Sequence, residues 1–219
     1  MSNRPNDANQ RYAEPRWPVQ LALAAVIVLR FALPKALSFG QGWPLVAVFV
    51  VLAAIVSLLH ARSAEKASHV VGFILLGSVT AALITSLLLL VRALPSHNLA
   101  PAELLKAAAY LWFSNVLVFA AWYWKLDAGG PYRREKASRH EVGAFLFPQM
   151  AMHAELPANP ETWHPQFIDY LFLSFNTSTA LSPTDTQILS RWAKVLMMMQ
   201  SLMSLAIVVL LAARAVNIL

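Results

Sequence analysis

Hydroxyl and amide side chains gather at one place in this chain. Ser174, Asn176, Thr177, Ser178 and Thr179 close an apolar and aromatic run, and a Ser182-Pro183-Thr184-Asp185 turn follows. Such groups are weak acids, bases and nucleophiles, but clustered beside a carboxylate they can take the place of water around a cation. A second set, Gln200, Ser201 and Ser204, stands at i, i+1 and i+4 inside a long apolar run, which puts its members on one face of a helix. That face suits either the lining of a water-filled cavity or hydrogen bonds to neighbouring helices, worth about 0.6 kcal/mol each on average.

Other chemistry lacks its parts. The chain has no cysteine, which removes disulfides, thiolate nucleophiles and cysteine metal sites. Its six histidines (His60, His69, His97, His140, His153, His164) fall outside the centres of the apolar runs, and none shows His-Glu-x-x-His spacing. Surface histidines are expected, with no metal and no cofactor. There is no glycine-rich phosphate loop and no Gly-x-Ser-x-Gly elbow. An acid-base site could draw only on Asp169, Asp185, His164 and Glu161, so the chain reads as not an enzyme.

The elements that must hold these side chains are membrane helices. Of 219 residues, 58% are apolar and 13% charged, against about 45 to 50% and about 25% in soluble domains, and the mean hydropathy is +0.54. Five runs approach or exceed the roughly 20 residues that cross hydrocarbon: Trp17 to Ser38, Trp43 to His60, Val70 to Ala93, Leu104 to Lys125 and Ile188 to Leu219. Prolines and tryptophans cluster at the ends of these runs, where backbone breaks are tolerated and indoles favour the interface. Residues 1–16 form a polar tail, 17–93 a three-helix transmembrane region, and no cleavable signal peptide is expected. Arg30 is expected to snorkel to the interface from the end of the first span. Gly77, Ala81 and Thr85 permit close helix approach in the third, and Ser114 and Asn115 offer polar contacts in the fourth.

The fold expected is therefore all-α: a polytopic helical membrane protein of five transmembrane helices plus a re-entrant half helix. The net charge of +6 reads as topology and lipid contact rather than nucleic-acid binding. Twelve of the 17 Lys and Arg fall on the side of the N-terminus, favouring a cytoplasmic N-terminus, although the vote depends on the long connection after the fourth span.

That connection is the longest in the chain, and loops of this length are usually functional or disordered. It opens on Gly129, Gly130 and Pro131 and ends in a run, Phe167 onward, too short to cross a bilayer. Three readings of residues 167–186 stand together: a pore helix and filter-like loop, a half-membrane helix with a structural role, or a sixth span from Phe167 to Leu181. Ser182 or Thr184 also suits a plain helix start.

The order of spanning helix, long loop, short aromatic helix, Thr-rich turn and final helix resembles the pore module of tetrameric potassium channels. Thr177-Ser178-Thr179-Ala180-Leu181-Ser182-Pro183-Thr184-Asp185 aligns without a gap on the family pattern Thr-x-Thr-Thr-Val-Gly-Tyr-Gly-Asp. The resemblance covers residues 104–219 and implies an outer helix 104–125, a turret loop 126–166, a pore helix and filter-like loop 167–186 and an inner helix 188–219. It implies a homotetrameric ion-channel-like pore in the lipid bilayer, passing monovalent cations, with Gln200, Ser201 and Ser204 lining a cavity. Ser182 and Thr184 occupy the glycine positions and Pro183 the aromatic one, so a potassium-type carbonyl ladder is excluded and the filter is degenerate. A channel of this kind places the long connection outside, against the charge count. The alternative is a non-conducting structural or accessory protein that retains a pore-like fold. The stretch Trp122-Tyr123-Trp124-Lys125-Leu126-Asp127-Ala128-Gly129-Gly130-Pro131, with the Ser-Pro-Thr-Asp turn, is also similar to an uncharacterised bacterial membrane protein family, which implies the inner membrane.

Overall fold

The computed structural model describes residues 14–31, 33–34, 37, 42–62, 64–93, 100–136, 143–151, 163–179 and 185–216. Helix α1 runs Trp17–Phe31, α2 Gly42–Ala61, α3 Glu65–Ala93 and α4 Pro101–Leu126. After a 3-10 turn at Asp127–Gly129 come the short helices α5, Pro131–Lys136, and α6, Pro148–Ala151. Helix α7 spans Phe167–Thr179 and α8 Arg191–Val216. Two-residue strands β1, Phe145–Leu146, and β2, Gln187–Ile188, pair antiparallel with Phe145 opposite Ile188. Apart from this bridge the described residues are all-α.

Among the described residues three helices are long and apolar enough to cross a membrane: Lys66–Ala93, Ala102–Gly129 and Arg191–Ala213. Two more apolar segments, Trp17–Phe31 and Val46–Leu59, are shorter. The first helix stops seven residues before the Ser38 expected from the sequence. Pro34 offers no N–H and biases residue 33 away from helical geometry, so only single turns follow, with Leu33 N–H on the Arg30 carbonyl at 3.2 Å and Leu37 N–H on that of Pro34 at 2.9 Å. The last helix begins at Arg191 rather than Ile188, because β2 takes Ile188 into its pairing with Phe145.

Helix α4 is the axis of the fold. Val118, Phe119, Ala120, Ala121 and Tyr123 are all buried, and a helix apolar all round belongs inside a bundle. One cluster packs its C-terminal half with Phe145, Phe147, Phe167, Tyr170 and Leu173. A second joins Leu104, Ala107, Ala108 and Leu111 to Leu83, Leu87 and Leu90 of α3 and Ile207 of α8. Outward faces carry Leu21, Val28, Val51, Leu58, Ile74, Leu88, Leu202, Leu205 and Val209, all exposed. An apolar belt of this extent is compatible with an integral membrane protein.

Contacts fix the direction of each helix. Arg16 pairs with Glu135 at 3.0 Å, so α1 begins at the end of the bundle where α4 finishes. Arg30 meets Ser86 toward the opposite end at 3.2 Å. Arg30 is thus 9% exposed and turned into the bundle rather than snorkelling outward, and among the described residues its Nε and Nη2 have no hydrogen-bond partner. Gly77 also departs from expectation: among the described residues a Cβ there would have nothing within 4 Å, so the small-residue spacing of α3 brings no close contact at that point.

Helix α7 begins beside the end of α4, where the Tyr170 hydroxyl reaches Asp127, and descends only to mid-height, where Phe175 lies 5.7 Å from Trp112 ring to ring. Its 13 residues span about 20 Å. The chain is back at the Asp127 end by β2, and Trp192 at the start of α8 rests 6.2 Å from Phe145. Both ends of segment 167–188 therefore lie at one end of the bundle.

Candidate functional site

Two polar systems are built into this bundle, one at mid-height and one at the Asp127 end. The first begins with the shared face foreseen for Gln200 and Ser204. Helix α8 turns that face toward α4 and α7 of its own chain. Gln200 is fully buried and its Nε2 donates toward the Ser174 carbonyl at 2.8 Å, Ser174 Oγ at 2.7 Å and Ser178 Oγ at 2.6 Å. Its Oε1 accepts from the Tyr123 hydroxyl. Asn115 Nδ2 donates to Ser204 Oγ at 2.7 Å and to the Gln200 carbonyl at 3.3 Å. Ser174 Oγ donates in turn to the Val116 carbonyl of α4 at 2.7 Å. Away from water each of these groups must find a partner inside the protein. Asn115 Oδ1 is the exception, buried with no partner among the described residues.

Thr177, Ser178 and Thr179 form the last turn of α7 rather than an open loop. Thr177 Oγ1 donates to the Leu173 carbonyl at 2.8 Å and Thr179 Oγ1 to that of Asn176 at 3.0 Å, so both hydroxyls fold back on their own helix. Ser201 is half-buried, with its Oγ 3.4 Å from the Thr177 carbonyl. Asp185 is exposed at a bend. Ala180, Leu181, Ser182, Pro183 and Thr184 lie outside the described residues.

The second system ties the ends of five segments together. Asp127 is fully buried; its Oδ1 accepts the Ala144 N–H at 2.6 Å and its Oδ2 the Tyr170 hydroxyl at 2.7 Å. The turn that puts it there needs left-handed backbone at Ala128, Gly129 and Gly130, with φ of 48°, 78° and 91°. At Gly130 a Cβ would also meet the Lys125 carbonyl at 2.8 Å, and at Gly143 it would collide with Asp127 Oδ1, so both positions need the smallest residue.

Arg134 fills the space beneath. Its Nη1 donates to the carbonyls of Trp124 at 2.9 Å and Asp127 at 2.7 Å, while Nε and Nη2 grip both oxygens of Glu14 at 2.9 to 3.1 Å. Glu14 also accepts from the Trp124 indole. Burial alone would lower the Arg134 guanidinium, but Tyr170, Glu14 and Asp127 around it hold it above its ordinary range. The last residues of the polar N-terminal tail are thus docked, with Glu14 only 5% exposed.

None of Glu14, Asp127, Arg134 and Tyr170 was singled out as a site from the sequence. The legible signal was the bracket of two tryptophans, one carboxylate and a Gly-Gly-Pro turn within Trp122 to Pro131. Of the acid-base candidates, Asp169 accepts the Gln166 N–H at 2.7 Å, capping α7, and His164 is half-buried, while Glu161 lies outside the described residues. Among the described residues no three His, Asp or Glu side chains are placed to hold a metal ion.

Beside this knot a cavity of about 110 Å³ opens between α1, α3, α4 and α5, with Arg16, His69 and Lys125 in its wall. Chemically, the mid-height system can hold helices in register and the Asp127 knot can lock the N-terminus and the long connection onto the bundle. No family model, curated protein or solved structure matches this chain.

Proposed function

We propose that the chain is a five-span integral membrane protein of pore-module design that does not conduct through its polar face and serves as a membrane scaffold. The observation that carries this reading is Gln200. The amide that would face a tetramer's water-filled cavity spends its donors and acceptor on Ser174, Ser178 and Tyr123 of its own chain. The face of α8 left outward is Val195, Met198, Leu202, Leu205 and Val209, which suits lipid or a second copy better than an ion path. In this reading α1 and α2 complete the five spans, and α7 is a half-membrane helix that enters and leaves at one interface. The positive-inside count makes that interface cytoplasmic, in a bacterial inner membrane if the family likeness holds.

A second reading, a tetrameric cation pore, draws on the same half-length helix and on Asp185, exposed on the return limb. Reconstitution decides between them. The scaffold reading expects cation flux from proteoliposomes no greater than from empty ones. It is overturned by a four-fold assembly with residues 179–185 facing the axis and currents that change in Asp185→Asn and Asp185→Ala.

A further inference from the structure

The cavity beside the Asp127 knot has a polar rim and an apolar floor. Val19 and Leu23 of α1 and Leu75 and Leu76 of α3 form the floor, and Gln20, Ser68 and Lys125 supply polar groups above it. The carboxylates of three acidic residues at this end are already engaged: Glu14 pairs with Arg134, Glu135 with Arg16, and that of Asp127 is taken by Ala144 and Tyr170. Lys125, in the cavity wall, has none of them. Among the described residues its ammonium makes no ion pair or hydrogen bond, and rests 4.8 Å from the Phe73 ring centre.

The neighbouring helix makes room for that ammonium. At Gly72 a Cβ would come within 2.7 Å of Lys125 Nζ, so any larger residue there would displace it. A half-buried cation without a counter-charge, over an apolar floor and next to Trp124 and Tyr132, matches an anion that carries hydrocarbon.

We propose that this cavity binds the headgroup phosphate of an anionic phospholipid, with Lys125 as its principal cation and the first methylenes of the lipid against Val19, Leu23 and Leu76. The assignment needs the membrane residence argued above, though not the scaffold role. Free phosphate shares the charge chemistry but leaves the apolar floor unused, and basic pockets between helices at the positive face are where anionic lipids are held.

The full-length protein, purified in a neutral detergent and exposed to equal phosphatidylglycerol and phosphatidylcholine, is examined by native mass spectrometry. Retained phosphatidylglycerol should exceed phosphatidylcholine, and Lys125→Gln should reduce it about fivefold, the effect of one surface cation, while Lys125→Arg largely preserves it. Gly72→Ala keeps every charge and should also weaken retention, which guards against a Lys125→Gln that fails to fold. Equal retention of the two lipids, or retention unchanged in both Lys125→Gln and Gly72→Ala, overturns the proposal. A thermal shift produced by inorganic phosphate alone and equal to that from phosphatidylglycerol overturns the lipid source.

Discussion

Removing Glu14 should unfold this protein more readily than any exposed charge change, and its partner should decide by how much. The side chains of Glu14 and Arg134 are 2% and 4% exposed, so neither ion can fall back on water. Glu14→Leu leaves the guanidinium with the carbonyls of Trp124 and Asp127 but no counter-charge. An uncompensated buried ion costs about 3 to 5 kcal/mol, and the two carbonyls place the expected loss near the lower figure, about 3 kcal/mol. Arg134→Leu strands the carboxylate on one indole N–H and takes a donor from two carbonyls, for about 4 kcal/mol. The double leucine variant removes both ions at once and should cost only about 2 kcal/mol, since an apolar pair of similar volume replaces a buried ion pair at little loss. Unfolding in mixed micelles, followed by tryptophan fluorescence, measures all four proteins. If the double variant costs the sum of the singles within about 0.5 kcal/mol, or Glu14→Leu costs under about 1 kcal/mol as exposed pairs do, the buried-pair argument fails.

Other expectations follow from the same contacts. Gln200→Leu leaves the Tyr123, Ser174 and Ser178 hydroxyls to find other partners and should cost about 1 to 2 kcal/mol in the same assay. Gly130→Ala, at φ of 91° with a carbonyl 2.8 Å from the new methyl, should cost about 2 kcal/mol, and a loss below about 0.5 kcal/mol would show that the turn relaxes. Burial, which outweighs the opposing pull of Glu14 and is helped by Arg134 nearby, holds the His164 imidazole below its ordinary range. The stability that its neutral form confers is complete above the unfolded value near 6.5 and is lost as pH falls through the lower folded value. Midpoints measured between pH 8 and pH 5 should therefore fall, and His164→Gln should flatten that part of the profile.

What could be read from the residues was one-dimensional. Helix positions followed from apolar length and proline placement, and three of the five runs returned as the long helices α3, α4 and α8. The shared face of Gln200 and Ser204 also followed, because periodicity places side chains around one helix. Which helix would meet that face did not, since Asn115 and Tyr123 lie 77 and more residues away and carry no local mark of the pairing. Helix α1 was overextended because the run past Phe31 stays apolar while Pro34 breaks its backbone. Arg30 was sent outward because its distance from the span end allows it, whereas its inward hydrogen bond depends on Ser86, 56 residues on. Glu14 looked like tail for the same reason: its value rests on Arg134, 120 residues away.

That separation has a consequence for biosynthesis. At about 5 to 20 residues per second, roughly 6 to 24 s pass between the appearance of Glu14 and that of Arg134. Through that interval α1, α2, α3 and α4 are made while the carboxylate at the head of the first helix has no cation to meet. The N-terminus is fastened only once the fourth helix and the Gly-Gly-Pro turn have been made, so a nascent chain halted at Gly130 should leave Glu14 without its guanidinium.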